Sequence, residues 1–176
     1  MGLVAESAGA PTQAEFHEVI SNGADRWFAA CLRITRNRDM AEDAVQDALL
    51  NAWNKRHQYE RSARLDTWIY RIAVNAALGL LRKNRPGRWE PLETEIIDET
   101  STPDKARIEE ELDKDLSAAL QHLSEIERVC FVLKHLEQWR LKEIAAELDT
   151  SVDTIKQAIF RGVKKLRVRM ADRRSA

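Results

Sequence analysis

The sequence predicts an all-α protein: two small helical bundles joined by an acidic linker, the C-terminal one carrying a helix-turn-helix. Three observations predict this. Apolar residues recur at helical spacing over long stretches, with no strand-like alternation bounded by turn residues. Glycine and proline are scarce, at 6 and 4 of 176 residues. Charge is unevenly spread along the chain: residues 1–85 hold twelve basic and ten acidic side chains, residues 86–115 hold four and eleven, and residues 116–176 hold twelve and eight. The apolar fraction of 44% is enough for one medium core or two small ones. The charge pattern divides the chain into residues 1–85, an acidic linker at 86–111 and a second domain at 112–176.

In chain order, residues 1–12 read as frayed, and a helix begins near Gln13 or Ala14. Phe16, Val19, Ile20, Trp27, Phe28, Cys31, Leu32 and Ile34 form its inner side, and Asn22-Gly23 is expected to break or kink it. Asp39, with Glu42 three residues later, reads as a capped start for the second helix. That helix carries the stripe Ala41, Val45, Ala48, Leu49, Ala52 and Trp53. Residues 55–64 are polar and irregular, hence a loop. A third helix runs from Leu65 to about Arg82 through Trp68, Ile69, Ile72, Ala73, Ala76, Leu80 and Leu81, and stops at basic residues followed by Pro86-Gly87. Residues 86–110 contain three of the four prolines and lack periodicity. The pattern resumes at Leu112, and Ser124 with Glu127 forms a capping box for the next helix. A short helix (Leu141, Ile144, Ala145, Leu148), a turn at Asp149–Ser151 and a long helix (Ile155, Ile159, Val163, Leu166, Met170) complete the chain.

The last two helices have helix-turn-helix spacing, and Ser151 stands where it caps the second. Such a helix reads base edges through its N-terminal residues, here Ser151, Val152, Asp153, Thr154, Lys156 and Gln157. Arg161, Lys164, Lys165, Arg167 and Arg169 follow as phosphate contacts. Residues 152–174 hold eight basic against two acidic side chains, which favours a nucleic-acid face over a merely solvated one.

Other chemistry is poorly supported. His17, His57, His122 and His135 have no metal-ligand spacing with Cys31 and Cys130, so no metal or other cofactor is expected. Gly-rich phosphate loops and nucleophile elbows are missing, which argues against an enzyme. Both cysteines lie in apolar helical patterns and read as buried thiols. Met1–Pro11 lacks the basic start and apolar run of a signal peptide, and no stretch approaches the ~20 apolar residues of a membrane span, so a cytoplasmic protein is expected.

A helix-turn-helix alone does not separate repressors, response regulators and initiation factors. The segment Asp39-Met40-Ala41-Glu42-Asp43-Ala44-Val45-Gln46-Asp47-Ala48-Leu49-Leu50-Asn51-Ala52-Trp53 resembles region two of the extracytoplasmic-function sigma factors of bacterial RNA polymerase. Leu65-Asp66-Thr67-Trp68-Ile69-Tyr70-Arg71-Ile72-Ala73-Val74-Asn75 resembles the part of that region which opens and reads the −10 element. Leu123–Arg128 and Leu141–Leu148 resemble region four, which reads the −35 element. The resemblance spans about residues 14–170.

It implies that Asp43, Gln46, Asp47, Leu50 and Trp53 dock on the β′ clamp helices of core polymerase, and that the C-terminal domain meets the β flap. For −10 recognition and melting it implies Tyr59, Arg61, Arg64, Trp68, Arg71, Asn75, Arg82 and Lys83. These types suit that task, because bases held out of the stack need aromatic walls and nearby cations. For the −35 element it implies Ser151, Thr154, Lys156, Gln157, Phe160, Arg161, Lys164 and Lys165. The family further implies an anti-sigma antagonist and a linker threaded along a basic path in polymerase. Val74 and Leu65 stand where arginine and phenylalanine are common in the family, Asp149 where glycine is common, and Ala158 and Phe160 where polar or basic residues are common. The competing readings are a stand-alone helix-turn-helix regulator, which would usually need two-fold symmetry although no dimerisation signal is evident, and a helical adaptor that binds proteins only.

Overall fold

The computed structural model describes residues 9–84 and 109–175, whose regular elements are all helical, with no strand among them. The chain divides into two compact units, Met1–Pro86 and Gly87–Ala176. Most of the segment expected as a linker, residues 86–108, lies outside the described residues.

The first unit is a bundle of α1 (Gln13–Thr35), α2 (Arg38–Asn54) and α3 (Leu65–Asn84), each packed on the other two. Thr12 and Glu15 form a capping box at the start of α1: the Thr12 N–H donates to the Glu15 carboxylate at 2.7 Å and the Glu15 N–H to the Thr12 hydroxyl at 3.2 Å. Contrary to expectation, α1 runs through Asn22-Gly23 without a break. Gly23 is there for closeness. A Cβ on it would lie 2.6 Å from the Trp27 ring and 2.8 Å from an Asp66 carboxylate oxygen. The helix ends at Arg36, in the left-handed conformation (φ 51°), with its N–H returned to the Leu32 carbonyl at 2.7 Å.

α2 is capped by Asn37, whose side chain accepts the Met40 N–H at 3.0 Å; Asp39, the expected cap, sits in the first turn instead. Asparagine and aspartate cap equally well, and the structure uses the one at which the chain leaves extended geometry. Ala41, Ala44, Ala48 and Ala52 are buried along α2. Small side chains at that spacing let α2 pack close to both neighbours, while Val45 and Leu49 flank the seam half-buried. On α3 the buried set is Ile69, Ala73, Val74, Ala77, Leu78 and Leu81. It is rotated from the expected stripe because α1 and α2 cover α3 from two sides, and Trp68, Ile72, Ala76 and Leu80 fall at its half-buried margin. Val74, where the family often has arginine, is a fully buried core residue.

The second unit comprises α4 (Glu109–Leu120), α5 (Glu125–Phe131), a π-helical turn at Val132–Leu136, α6 (Leu141–Glu147) and α7 (Val152–Arg174). α4 starts at Glu109, a little earlier than the periodicity suggested. The α5 capping box is present as expected, with the Ser124 N–H donating to Glu127 at 3.0 Å. Leu133, Trp139, Ile144, Leu148 and Ile155 fill the core. Trp139, which the sequence pattern left in a connection, enters the core through a left-handed Gln138 (φ 58°) and donates its backbone N–H to Leu133. α7 outruns its packing partners: Leu166 is buried, whereas Met170, expected on the inner side, is 57% exposed. Cys31 and Cys130 are buried and not joined in a disulfide, and burial pushes the Cys130 thiol up to about 12.

Candidate nucleic-acid interface

On α2, Asp43, Gln46, Asp47 and Leu50 follow helical spacing and all are exposed, Leu50 at 65%. Glu42, one residue earlier, is held by Arg38 at 3.0 Å. Trp53 closes this face half in solvent. Its ring meets Phe16 edge-to-face at 5.2 Å, and the Arg56 guanidinium stacks over it at 4.1 Å. Beside it runs an open groove lined by Phe16, His17, Ile20, Leu49 and Trp53. The α2 pattern anticipated the polar face but not this apolar groove, because most of the groove belongs to α1.

The loop before α3 is more built than its polar sequence suggests. Tyr59 is buried: its hydroxyl donates to the Ala63 carbonyl, and its ring lies 5.2 Å from Trp68. Arg61 adopts a left-handed conformation (φ 54°), and its guanidinium lies 3.3 Å from the Glu15 carboxylate. The Thr12 N–H, together with the nearby Arg61 charge, holds Glu15 below its ordinary value. Arg64 is exposed where α3 begins. Trp68, Arg71 and Asn75 are half-buried on α3, and Arg82 and Lys83 are exposed at its end. These α3 positions recur at three- and four-residue steps, so one side of the helix carries an aromatic ring, an amide and cations. The Asn75 side-chain oxygen is buried without a hydrogen bond, an uncommon and costly state for an amide. Asp66 anchors the start of the helix by accepting from Trp27 Nε1 at 3.0 Å and Arg26 at 2.6 Å. Sequence reasoning missed this anchor, since partners forty residues apart leave no local signal.

In the second unit, α6, the turn and α7 form the helix-turn-helix. The turn is a Schellman arrangement: Asp149 is left-handed (φ 47°), and Thr150 donates its N–H to the Ala145 carbonyl at 3.0 Å. Aspartate tolerates this conformation, which explains how it stands where the family often has glycine. Ser151 caps α7, accepting the Thr154 N–H at 3.1 Å, and the two hydroxyls lie 2.9 Å apart. Lys156, Gln157, Phe160 and Lys164 are exposed on α7, Phe160 at 70%. Phe160 borders an open groove with Leu141, Ile159 and Val163 as its floor and Lys134, Lys156 and Lys164 around it. Ala158 points inward and is buried. Arg161 and Lys165 are placed differently from their neighbours: both reach the buried Glu127, Lys165 at 2.8 Å and Arg161 at 3.6 Å. Among the described residues no group of His, Cys, Asp or Glu could hold a metal, and no helix is long and apolar enough to cross a membrane.

Two family models match the chain: Sigma-70 region 2 over residues 22–86 and Sigma-70, region 4 over residues 113–166. The sigma factor SigW of Bacillus subtilis is 27% identical over 170 residues, covering 91% of this chain and 91% of that protein. The RNA polymerase sigma factor CarQ of Myxococcus xanthus is 31% identical over 156 residues, covering 88% of each. Among solved structures, the sigma factor RpoE of Bartonella quintana, bound to the anti-sigma factor NepR, shares the fold with a TM-score of 0.52 at 24% identity, covering 86% of this chain and 93% of that one. With both regions matched in order and CarQ aligned over nearly its whole length, the chain belongs to the extracytoplasmic-function sigma factors of the sigma-70 family.

Proposed function

We propose that this sigma factor binds core RNA polymerase through the outer face of α2, reads and helps melt the −10 element with the Tyr59–Arg64 loop and α3, and reads the −35 element with α7. It is an initiation factor that contributes no catalytic group of its own and works in the cytoplasm. The observation that carries this reading is the pairing, in one chain, of an acidic and apolar exposed face on α2 with a basic helix-turn-helix. A stand-alone regulator needs only the second.

Asp43, Gln46, Asp47, Leu50 and Trp53 offer charge and apolar contact to a basic helical partner, which fits the β′ clamp helices. On α3, Trp68, Arg71 and Asn75 supply a stacking surface, a cation and an amide for an unpaired base, with Arg64, Arg82 and Lys83 along the backbone. Tyr59 and Arg61 act one step back in this scheme: Tyr59 props the loop against Trp68, and the Arg61–Glu15 contact fastens it to α1. On α7, Lys156, Gln157 and Phe160 are free to meet base edges, with Phe160 suited to a thymine methyl, and Lys164 to meet phosphate. Ser151 and Thr154 serve the cap, where the helix N-terminus can face a phosphate. The apolar floor beside Phe160 and Val163 suits a helical protein partner such as the β flap. Control by an anti-sigma factor is supported by the complex in which RpoE is bound to NepR.

Asp47→Arg tests the docking face. The substitution lies on an exposed helix position, so the thermal midpoint should stay within a few degrees. Affinity for core polymerase, measured by fluorescence anisotropy of labelled protein, should fall at least about tenfold, as a reversed charge at an interface costs more than 1 kcal/mol. Unchanged affinity would remove this face from the interface.

A further inference from the structure

We propose that Glu127 is a positioning residue for the −35-reading helix, holding Arg161 and Lys165 at fixed places on α7. The inference rests on the reading of α7 as the −35 helix. Glu127 is 4% exposed, yet it is a carboxylate facing one side of α7. Its Oε2 accepts from Lys165 Nζ at 2.8 Å and from the Ser124 N–H at 3.0 Å, and its Oε1 lies 3.6 Å from Arg161 Nε. Arg161 and Lys165 are one turn apart, so a single buried carboxylate bridges both. Gly162 lies between them, where an added Cβ would be 3.6 Å from the Glu127 carbonyl and 3.7 Å from its Cβ. The backbone of α7 therefore passes directly over Glu127.

The Nε of Arg161 is buried with no hydrogen-bond partner and faces Glu127 Oε1 at 3.6 Å as an ion pair, while the side chain keeps 41% of its surface in solvent. The inner edge of the guanidinium is thus drawn toward the carboxylate by charge alone, and the remainder is presented outward. Bidentate recognition of a guanine or a phosphate needs a guanidinium in a fixed plane, and an arginine already oriented loses less freedom on binding. Glu127 also offsets one cation close to the DNA face, which lowers the indiscriminate pull on phosphates. The two effects act in the same sense: weaker binding to any DNA, and sharper choice of sequence.

Glu127→Gln separates them. Glutamine retains an oxygen for the Ser124 N–H and loses the charge that holds Arg161 and Lys165. With holoenzyme containing the full chain, binding to duplexes lacking a −35 element should tighten, and the salt slope should steepen by about one. The preference for an intact over a scrambled −35 element should fall about five- to tenfold, a part of the discrimination one bidentate arginine supplies. Arg161→Ala is the control: it should also reduce the preference, but should not steepen the salt slope.

If Arg161→Ala leaves the preference intact, α7 is not read as stated here and the role of Glu127 falls with it. If Arg161→Ala reduces it and Glu127→Gln does not, Glu127 is only a structural cap and the positioning role is refuted. The wild-type chain gives a second readout that does not depend on any variant folding. By NMR the Arg161 Nε–H should exchange with water several-fold more slowly than that of the exposed Arg64, and equal rates would overturn the proposal.

Discussion

Gly23 illustrates how a single residue can be misread from sequence. An Asn-Gly pair inside a helical pattern normally signals a break. Here the missing side chain lets the Trp27 ring and the Asp66 carboxylate approach the α1 backbone, and the helix continues. Gly23→Ala should therefore destabilise the first unit by about 1–3 kcal/mol through overpacking, despite alanine's better helix propensity. Urea denaturation followed at tryptophan would measure it, and a gain in stability would mean that the site has room for a methyl group and that the close approach of Trp27 and Asp66 is absent. Cys130 offers a second test at this scale. Burial pushes its thiol up to about 12, so the reactive thiolate is scarce at neutral pH. A chromogenic disulfide reagent should label it only as fast as the second unit opens, and urea should accelerate labelling. Rapid labelling of the native chain would place Cys130 at the surface. Helical spacing alone foretells that Asp43, Gln46, Asp47 and Leu50 on α2 and Lys156 and Lys164 on α7 are exposed, whereas their assignment to a binding face comes from the family resemblance. Spacing does not foretell the inward turn of Arg161 and Lys165, because it depends on a carboxylate from α5 that only folding brings beneath them.

Helix ends were the best-marked features at the level of elements. Ser124 with Glu127, and Ser151 before α7, cap as their spacing predicts, since short polar side chains satisfy N–H groups that the helix leaves open. The start of α2 shows the limit of such reading. Asn37 and Asp39 both suit a cap, and periodicity does not choose between them. Asn37→Ala should cost about 1 kcal/mol, and Asp39→Ala only a few tenths. Thermal unfolding of the two variants compares them, and a larger loss for Asp39→Ala would contradict the observed cap. Stripe registers shifted where a helix is covered from two sides, as on α3, and where a helix extends past its neighbours, as at Met170. Both depend on the number and length of packing partners, which an isolated periodic pattern does not contain. The loop at residues 55–64 is held by Tyr59 and Arg61, contacts to Ala63 and Glu15 that its polar sequence concealed.

For the whole molecule, the family was identified from the order of three motifs, each of which alone fits many helical proteins. The uneven charge points the same way: an acidic middle and a basic final helix suit a protein that works between polymerase and DNA. Such a protein needs polymerase to act, which sets it apart from a regulator that grips duplex DNA unaided. In vitro transcription with core RNA polymerase, on templates taken from upstream of the protein's own gene, is the most direct test. Adding this chain should produce a discrete transcript that is absent with core enzyme alone and whose start site lies downstream of recognisable −35 and −10 elements. Failure to bind core polymerase, combined with tight polymerase-independent binding to the same duplexes, would contradict the sigma-factor function.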